Sequence, residues 1–254
     1  MPFLHILILS VVEGLTEFLP ISSTGHLILT SAFLNIESTE YLKAFEIIIQ
    51  FGAILAVVVL YRERLRWNFE YYKKVFYAFL PAAGIGFLFK DYLSALMDST
   101  VVVAWALIVG GIILLFIDSV FKGEAEELTP AKAWLVGVLQ CTAFIPGVSR
   151  SAATIIGSQI AGLTREKAAE FSFILAIPTL TAATGYKLWK IRNILDISQS
   201  FNLALGIILS FVFAILAIQF FISILNKYGL KYFGVYRILL GGIVLYVHWK
   251  GLNP

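Results

Sequence analysis

Uninterrupted apolar stretches recur along the chain at roughly residues 44–61, 75–90, 100–121, 168–186, 202–225 and 233–249. Each approaches the ~20 residues a helix needs to cross ~30 Å of hydrocarbon, so the pattern predicts six transmembrane helices. Two more apolar regions, 3–35 and 131–162, are broken near their middles by Pro20-Ile21-Ser22-Ser23-Thr24-Gly25-His26 and Pro146-Gly147-Val148-Ser149-Arg150-Ser151. The piece from Ser23 to Asn35 has 13 residues, ~20 Å of helix and too short to span. Each broken region therefore reads as a re-entrant helical hairpin. Backbone outside a helix at membrane depth needs protein or a water-filled cavity around it, so the breaks mark a site.

The two halves resemble each other. Phe18-Leu19-Pro20-Ile21-Ser22 matches Phe144-Ile145-Pro146-Gly147-Val148-Ser149 with one insertion, and Ala44-Phe45-Glu46 follows its break at nearly the spacing of Ala169-Glu170-Phe171. We expect one membrane domain, 1–254, with repeats of roughly 1–121 and 122–254. Transporters commonly bring broken helices from two such repeats together near the midplane.

Composition agrees with the pattern. The 254 residues are 59% hydrophobic and 14% charged, against about 25% charged in soluble chains, so the expected solvent is a bilayer. A net charge of +3 over 19 basic and 16 acidic residues is no nucleic-acid signature. Cys141 has no second cysteine with which to form a disulfide or a CxxC site. The first Lys or Arg is Lys43, and Glu13 and Glu17 stand in the apolar start, so no cleaved secretory signal is expected.

Cytoplasmic loops are enriched in Lys and Arg. With 62–74 inside, Arg62, Arg64, Arg66, Lys73, Lys74, Lys122, Lys132, Arg165, Lys167, Lys227 and Lys231 also fall inside, against Lys43, Lys90, Lys187, Lys190, Arg192 and Lys250 outside. The first hairpin then enters from outside and the second from inside, an inverted-topology repeat.

Glu13 and Glu17 are four residues apart and share a helix face. Ionisable groups at membrane depth are costly and usually functional. Two adjacent carboxylates share a proton or hold a cation between them, and Mg²⁺ favours one or two carboxylates plus substrate phosphates. Ser22, Ser23, Thr24 and Gly25 open the next helix, whose N-terminus suits an anion. Ser23 and His26 are one turn apart, in outline a nucleophile with its acid/base partner. Arg150, flanked by Ser149 and Ser151, offers a planar fork that matches phosphate or pairs with Glu13, Glu17 or Glu170, and Ser151 to Thr154 repeats the Ser23 to His26 spacing. Glu46, Gln50 and Glu170 are read as supporting groups or helix-dipole partners. Asp118 and Arg237 are read as interfacial, and Trp67 to Tyr77 as an interfacial aromatic belt.

Val12-Glu13-Gly14-Leu15-Thr16-Glu17-Phe18-Leu19-Pro20-Ile21-Ser22-Ser23-Thr24-Gly25-His26 and Pro146-Gly147-Val148-Ser149-Arg150-Ser151-Ala152-Ala153-Thr154 resemble the ExxxE, SSTGH and PGxSRSxxT elements of the bacterial undecaprenyl-pyrophosphate phosphatases, the bacitracin-resistance proteins. The likeness runs over essentially the whole chain. It implies a multi-pass enzyme of the bacterial inner (plasma) membrane that removes the terminal phosphate of a C55 polyprenyl diphosphate. The monophosphate product is the carrier lipid for peptidoglycan. It further implies a divalent cation and an active site facing the periplasmic or extracellular side.

The expected chemistry is phosphoryl transfer between the hairpins, with the polyprenyl tail left in lipid. Glu13 and Glu17 hold Mg²⁺ or Ca²⁺. Arg150 neutralises developing charge. Ser22, Thr24, Gly25, Ser149, Ser151 and Thr154 bind and orient the phosphate. Ser23 is the preferred nucleophile, with His26 or Glu17 taking its proton; attack by His26 or by water held on the metal stays open. The alternative class is a polyprenyl-phosphate transporter, a flippase. No nucleic-acid partner is expected, and self-association as a homodimer is left open.

Overall fold

The computed structural model describes residues 1–66, 68–88, 99–193, 195 and 197–250. Trp67 of the aromatic belt, Lys90 with the end of the 75–90 span, and residues 251–254 lie outside the described residues. The helices are α1 (Phe3–Thr16), α2 (Ser23–Phe33), α3 (Glu40–Ile48), α4 (Gln50–Leu60), α5 (Phe69–Leu88), α6 (Thr100–Val120), α7 (Pro130–Gln140), α8 (Arg150–Ile160), α9 (Arg165–Ile191), α10 (Ile197–Tyr228) and α11 (Lys231–Trp249). The described residues contain no strand beyond an isolated bridge, Ala125 with Leu163.

Local sequence explains the starts. Thr39, Ser99, Thr129 and Thr164 accept a hydrogen bond from the backbone N–H three residues on, and Pro130 occupies the first turn of α7. Among the described residues five helices are long and apolar enough to cross a membrane: Glu40–Leu60, which runs through α3 and α4, and α6, α9, α10 and α11. The region expected to give a sixth lies in α5, whose first turns carry Glu70, Lys73 and Lys74. Both broken regions are two helices around a non-helical turn, with a short 3₁₀ turn, Cys141–Phe144, leading into the second break.

α11 packs along α6, α10 lies against α1 and α4, α5 pairs with α7, and α8 packs on α7 and α9. The Phe173 ring of α9 is a hub, in edge contact with Phe18 at 5.1 Å, Phe221 at 5.8 Å and Tyr61 at 5.9 Å. It ties the first break to α4, α9 and α10. Large apolar side chains point outward on successive turns, Trp105, Val109, Ile112 and Phe116 on α6 and Ile208, Val212, Leu216 and Phe220 on α10. Those stripes suit lipid and make this a multi-pass helical membrane protein.

Arg237 is not interfacial: its side chain is fully buried in the bundle. Its Nε donates to Leu107 O at 3.3 Å, its Nη1 to Pro20 O and Val148 O at 3.0 Å each, and its Nη2 to Gly147 O at 2.9 Å and Ala106 O at 3.0 Å. A guanidinium has five N–H donors, and carbonyls take them all. Three of those carbonyls belong to the two breaks. Gly110 leaves the room, since a Cβ there would lie 2.2 Å from Arg237 Nη2. Asp118 is also a junction, accepting from Gln159 Nε2 at 3.1 Å, Arg165 Nε at 3.0 Å and the Leu230 N–H at 2.7 Å.

Arg237→Met removes the donors while keeping much of the volume. Buried unsatisfied carbonyls cost about 1–3 kcal/mol each, so this variant should melt many degrees below wild type in detergent, or fail to accumulate. An unchanged melting temperature would show that the breaks hold without it.

Candidate active site

The two breaks are built alike. Ser22 has φ 72° and ψ 91°, and Ser149 has φ 76° and ψ 117°. Each then caps a helix, Ser22 Oγ accepting from Gly25 N at 3.2 Å and Ser149 Oγ from Ala152 N at 3.1 Å. Positive φ at a non-glycine residue costs about 1–3 kcal/mol and gathers at functional sites. Gly147, with φ +94°, permits the second turn, where a Cβ would meet Val103 O at 2.6 Å.

The breaks meet at Glu17. Arg150 Nη2 donates to Glu17 Oε1 at 2.9 Å, and Ser23 Oγ donates a very short bond to Glu17 Oε2. One carboxylate thus joins the first residue of α2 to the first residue of α8. Arg150 Nη1 donates to Ser172 O at 3.0 Å, its guanidinium lies 5.4 Å from the centre of the Phe18 ring, and Ser151 Oγ donates to Phe18 O at 2.9 Å. Thr154, fully buried, bonds back to Arg150 O at 2.9 Å and shares a 2.5 Å bond with Ser172 Oγ. The Ser22, Ser149, Ser151 and Thr154 hydroxyls are thus engaged with protein groups, and Thr24 is half-buried.

Some buried polar atoms here have no hydrogen-bond partner among the described residues: both Glu13 carboxylate oxygens and Arg150 Nε. A native interior rarely leaves such groups unmet. Glu13 is wholly buried, and the groups acting on it include the like charges of Glu17 and Glu46. Two free, buried carboxylate oxygens fit a hard cation, and the free N–H on Arg150 fits an anionic oxygen. Among the described residues no three His, Cys, Asp or Glu side chains gather to enclose a metal. A cation here would draw its remaining ligands from substrate or water. Glu46 accepts from Ser31 Oγ at 3.0 Å, and Glu170 pairs with Arg64 Nε at 3.1 Å and Lys167 Nζ at 3.4 Å.

His26 sits beside Ser23 in sequence but not in bonding. Its Nδ1 lies 2.7 Å from Ser22 O and its Nε2 2.7 Å from the Tyr236 hydroxyl. Ser23 is bonded to Glu17 instead, because the turn after α1 brings Glu17 under the start of α2. His26 also borders an apolar cleft of about 760 Å³, lined by Leu29, Phe33, Leu240, Ile243 and Val247. Tyr236, Arg237 and Ser172 are the participants the sequence reading did not place at the site. A charged residue in the otherwise apolar 233–249 stretch was the available signal for the first two.

Glu17→Ala leaves a mostly buried guanidinium without its carboxylate, a loss of about 3–5 kcal/mol, and should lower the melting temperature sharply. Glu13→Gln removes a charge that receives no hydrogen bond. In chelator it should melt at or above wild type, while losing any rise in melting temperature on adding Mg²⁺ or Ca²⁺. Equal destabilisation by both substitutions would contradict this division of roles.

A family model described as bacitracin resistance protein BacA matches residues 6–243. The curated "Undecaprenyl-diphosphatase" of Bdellovibrio bacteriovorus is 49% identical over 99% of this chain and 98% of its own length. The protein of that name from Aquifex aeolicus is 49% identical over 92% of this chain and 94% of its own. That from Porphyromonas gingivalis strain W83 is 43% identical over 100% and 99%.

Proposed function

The chain belongs to the bacitracin resistance protein BacA family, and from that footing we propose that it hydrolyses undecaprenyl diphosphate to undecaprenyl phosphate and inorganic phosphate. The reaction recycles the carrier lipid of cell-wall synthesis and confers bacitracin resistance. The observation that carries the site assignment is Glu17, bonded at once to Ser23 and to Arg150. The names of the relatives give the flippase alternative no support.

In the proposed mechanism the diphosphate lies between the breaks and the polyprenyl tail stays in the apolar cleft or the surrounding lipid. Arg150 Nε and the N–H groups at the starts of α2 and α8 receive phosphate oxygens, with charge-assisted hydrogen bonds aimed where charge develops. Ser22, Gly25, Ser149, Ser151 and Thr154 act by holding those helix starts and the guanidinium in place, and Thr24 completes the first turn facing the substrate. Glu17 takes the Ser23 proton, an Oγ–P bond forms at the terminal phosphorus, and the bridging P–O bond breaks to release undecaprenyl phosphate. Water then attacks the phosphoserine phosphorus as His26 Nε2 takes its proton, the Oγ–P bond breaks, Ser23 Oγ regains its proton from Glu17, and inorganic phosphate departs as His26 passes its proton to solvent. Glu13 and Glu17 would hold Mg²⁺ or Ca²⁺, which supplies positive charge against the phosphate oxygens.

The proposed setting is the inner membrane, with six spans, two inverted re-entrant hairpins and a site open to the outer face. Its supports are the basic bias of 62–74 and the cleft beside His26, which reaches Asn35, Thr100 and His248, all outer in that orientation. The Arg64–Glu170 pair then lies at the opposite, cytoplasmic end.

Purified protein in detergent, given polyprenyl diphosphate and Mg²⁺, should release phosphate with no second compartment present. EDTA should stop it. Arg150→Ala and Ser23→Ala, checked for folding, should each lower kcat by at least about 100-fold. Equal phosphate release by all three would refute the hydrolase site. Acid-quenched single turnovers should trap phosphorylated Ser23; solvent oxygen in the phosphate without any phosphoprotein would place water as the direct nucleophile.

A further inference from the structure

The strongest group left unexplained by the mechanism is the phenol of Tyr236. Its hydroxyl lies 2.7 Å from His26 Nε2, and the two rings lie edge beside edge, centroids 5.6 Å apart and planes at 6°. The other imidazole nitrogen faces Ser22 O at 2.7 Å. A carbonyl oxygen only accepts, so Nδ1 carries the proton, and in the neutral ring Nε2 presents its lone pair to the phenol as donor. Both nitrogens of His26 are thereby fixed.

Tyr236 is 43% exposed, on a helix long and apolar enough to cross a membrane, and His26 Nε2 is the partner its hydroxyl meets. The backbone under it is unusually well held, because the next residue is Arg237 with its five carbonyl bonds. The anchor that closes the two breaks thus also sets where the phenol stands. His26 lies in the first turn of α2, with Ser23 bonded to Glu17 on one side and the apolar cleft on the other. Without the phenol hydroxyl the ring loses its Nε2 partner and is held through Nδ1 alone.

We propose that Tyr236 is a positioning residue of the hydrolytic site: its hydroxyl holds the His26 imidazole in the Nδ1–H form, with the Nε2 lone pair directed to the place the phenol oxygen now occupies. This rests on the hydrolase reading, and it concerns turnover rather than folding or substrate capture. Water entering ahead of the phosphoserine takes the phenol's place at Nε2, while the Nδ1–H bond to Ser22 O keeps the tautomer. The loss of one neutral hydrogen bond sets the expected size, a fall of about 5- to 10-fold in kcat.

The test is Tyr236→Phe in the full-length protein, in detergent with polyprenyl diphosphate and Mg²⁺. Its kcat should fall by that factor with KM and melting temperature unchanged. His26→Ala and the His26→Ala/Tyr236→Phe double variant should turn over at the same rate, since the phenol acts through the imidazole. With ¹⁵N-labelled histidine, the Nε2 resonance of His26, assigned by its absence in His26→Ala, should move toward that of an imidazole lone pair without a donor. Wild-type kcat in Tyr236→Phe, an additive double variant, or an unmoved Nε2 resonance would each overturn the proposal. Absence of phosphate release from the wild type would instead sink the hydrolase reading, and the resonance would still decide whether the phenol holds the ring.

Discussion

Everything at this site depends on one constraint: two stretches of backbone leave the helix inside the bundle, and their buried carbonyls must find donors there. Arg237 answers it. Its guanidinium takes Pro20 O from one break, Gly147 O and Val148 O from the other, and Ala106 O and Leu107 O from the helix behind them. A planar group with five fixed donors can hold two loops in register, which a lysine ammonium with three donors would not. The price is a buried cation facing carbonyl dipoles rather than a carboxylate. Gly110 and Gly147, neither of which has space for a Cβ, let the surrounding backbone come close enough.

Once the loops are fixed, their polar side chains divide into two kinds. Ser22, Ser149, Ser151 and Thr154 spend their hydroxyls on the fold, capping helices and bonding across the breaks. Glu13 and Arg150 Nε are left unmet, and Glu17 stands between the two kinds, structural toward Arg150 and chemical toward Ser23. The site therefore carries an uncompensated cost that a cation and a phosphate would relieve. A carboxylate pair with no such role would be a poor choice for a membrane interior.

Much of this was legible in the chain because charge and Pro/Gly/Ser clusters are rare within apolar runs. Glu13, Glu17, Arg150 and both breaks stand out for that reason, and of the acids offered as alternative partners for Arg150, Glu13, Glu17 and Glu170, it is Glu17 that pairs with it. What spacing within one helix does not show is which side chain arrives from elsewhere. Ser23 and His26 share a turn, yet Ser23 meets Glu17 and His26 meets Tyr236, a partner 210 positions away. Arg237 was read as interfacial because long cationic side chains near helix ends usually reach for the headgroups, and only packing reveals that it points inward. Tyr236 was hidden by company, since aromatic residues are common in membrane spans. The described part of the 75–90 region lies in the helix Phe69–Leu88, whose first turns carry Glu70, Lys73 and Lys74.

The central claim is that both breaks grip a single diphosphate. An experimental structure in lipid with a non-hydrolysable polyprenyl diphosphonate tests it most directly. The account predicts the terminal phosphonate within hydrogen-bond reach of Arg150 Nε and facing Ser23 Oγ, with electron density for a cation against Glu13. A phosphonate held by one break alone, or bound away from Glu17, would contradict it.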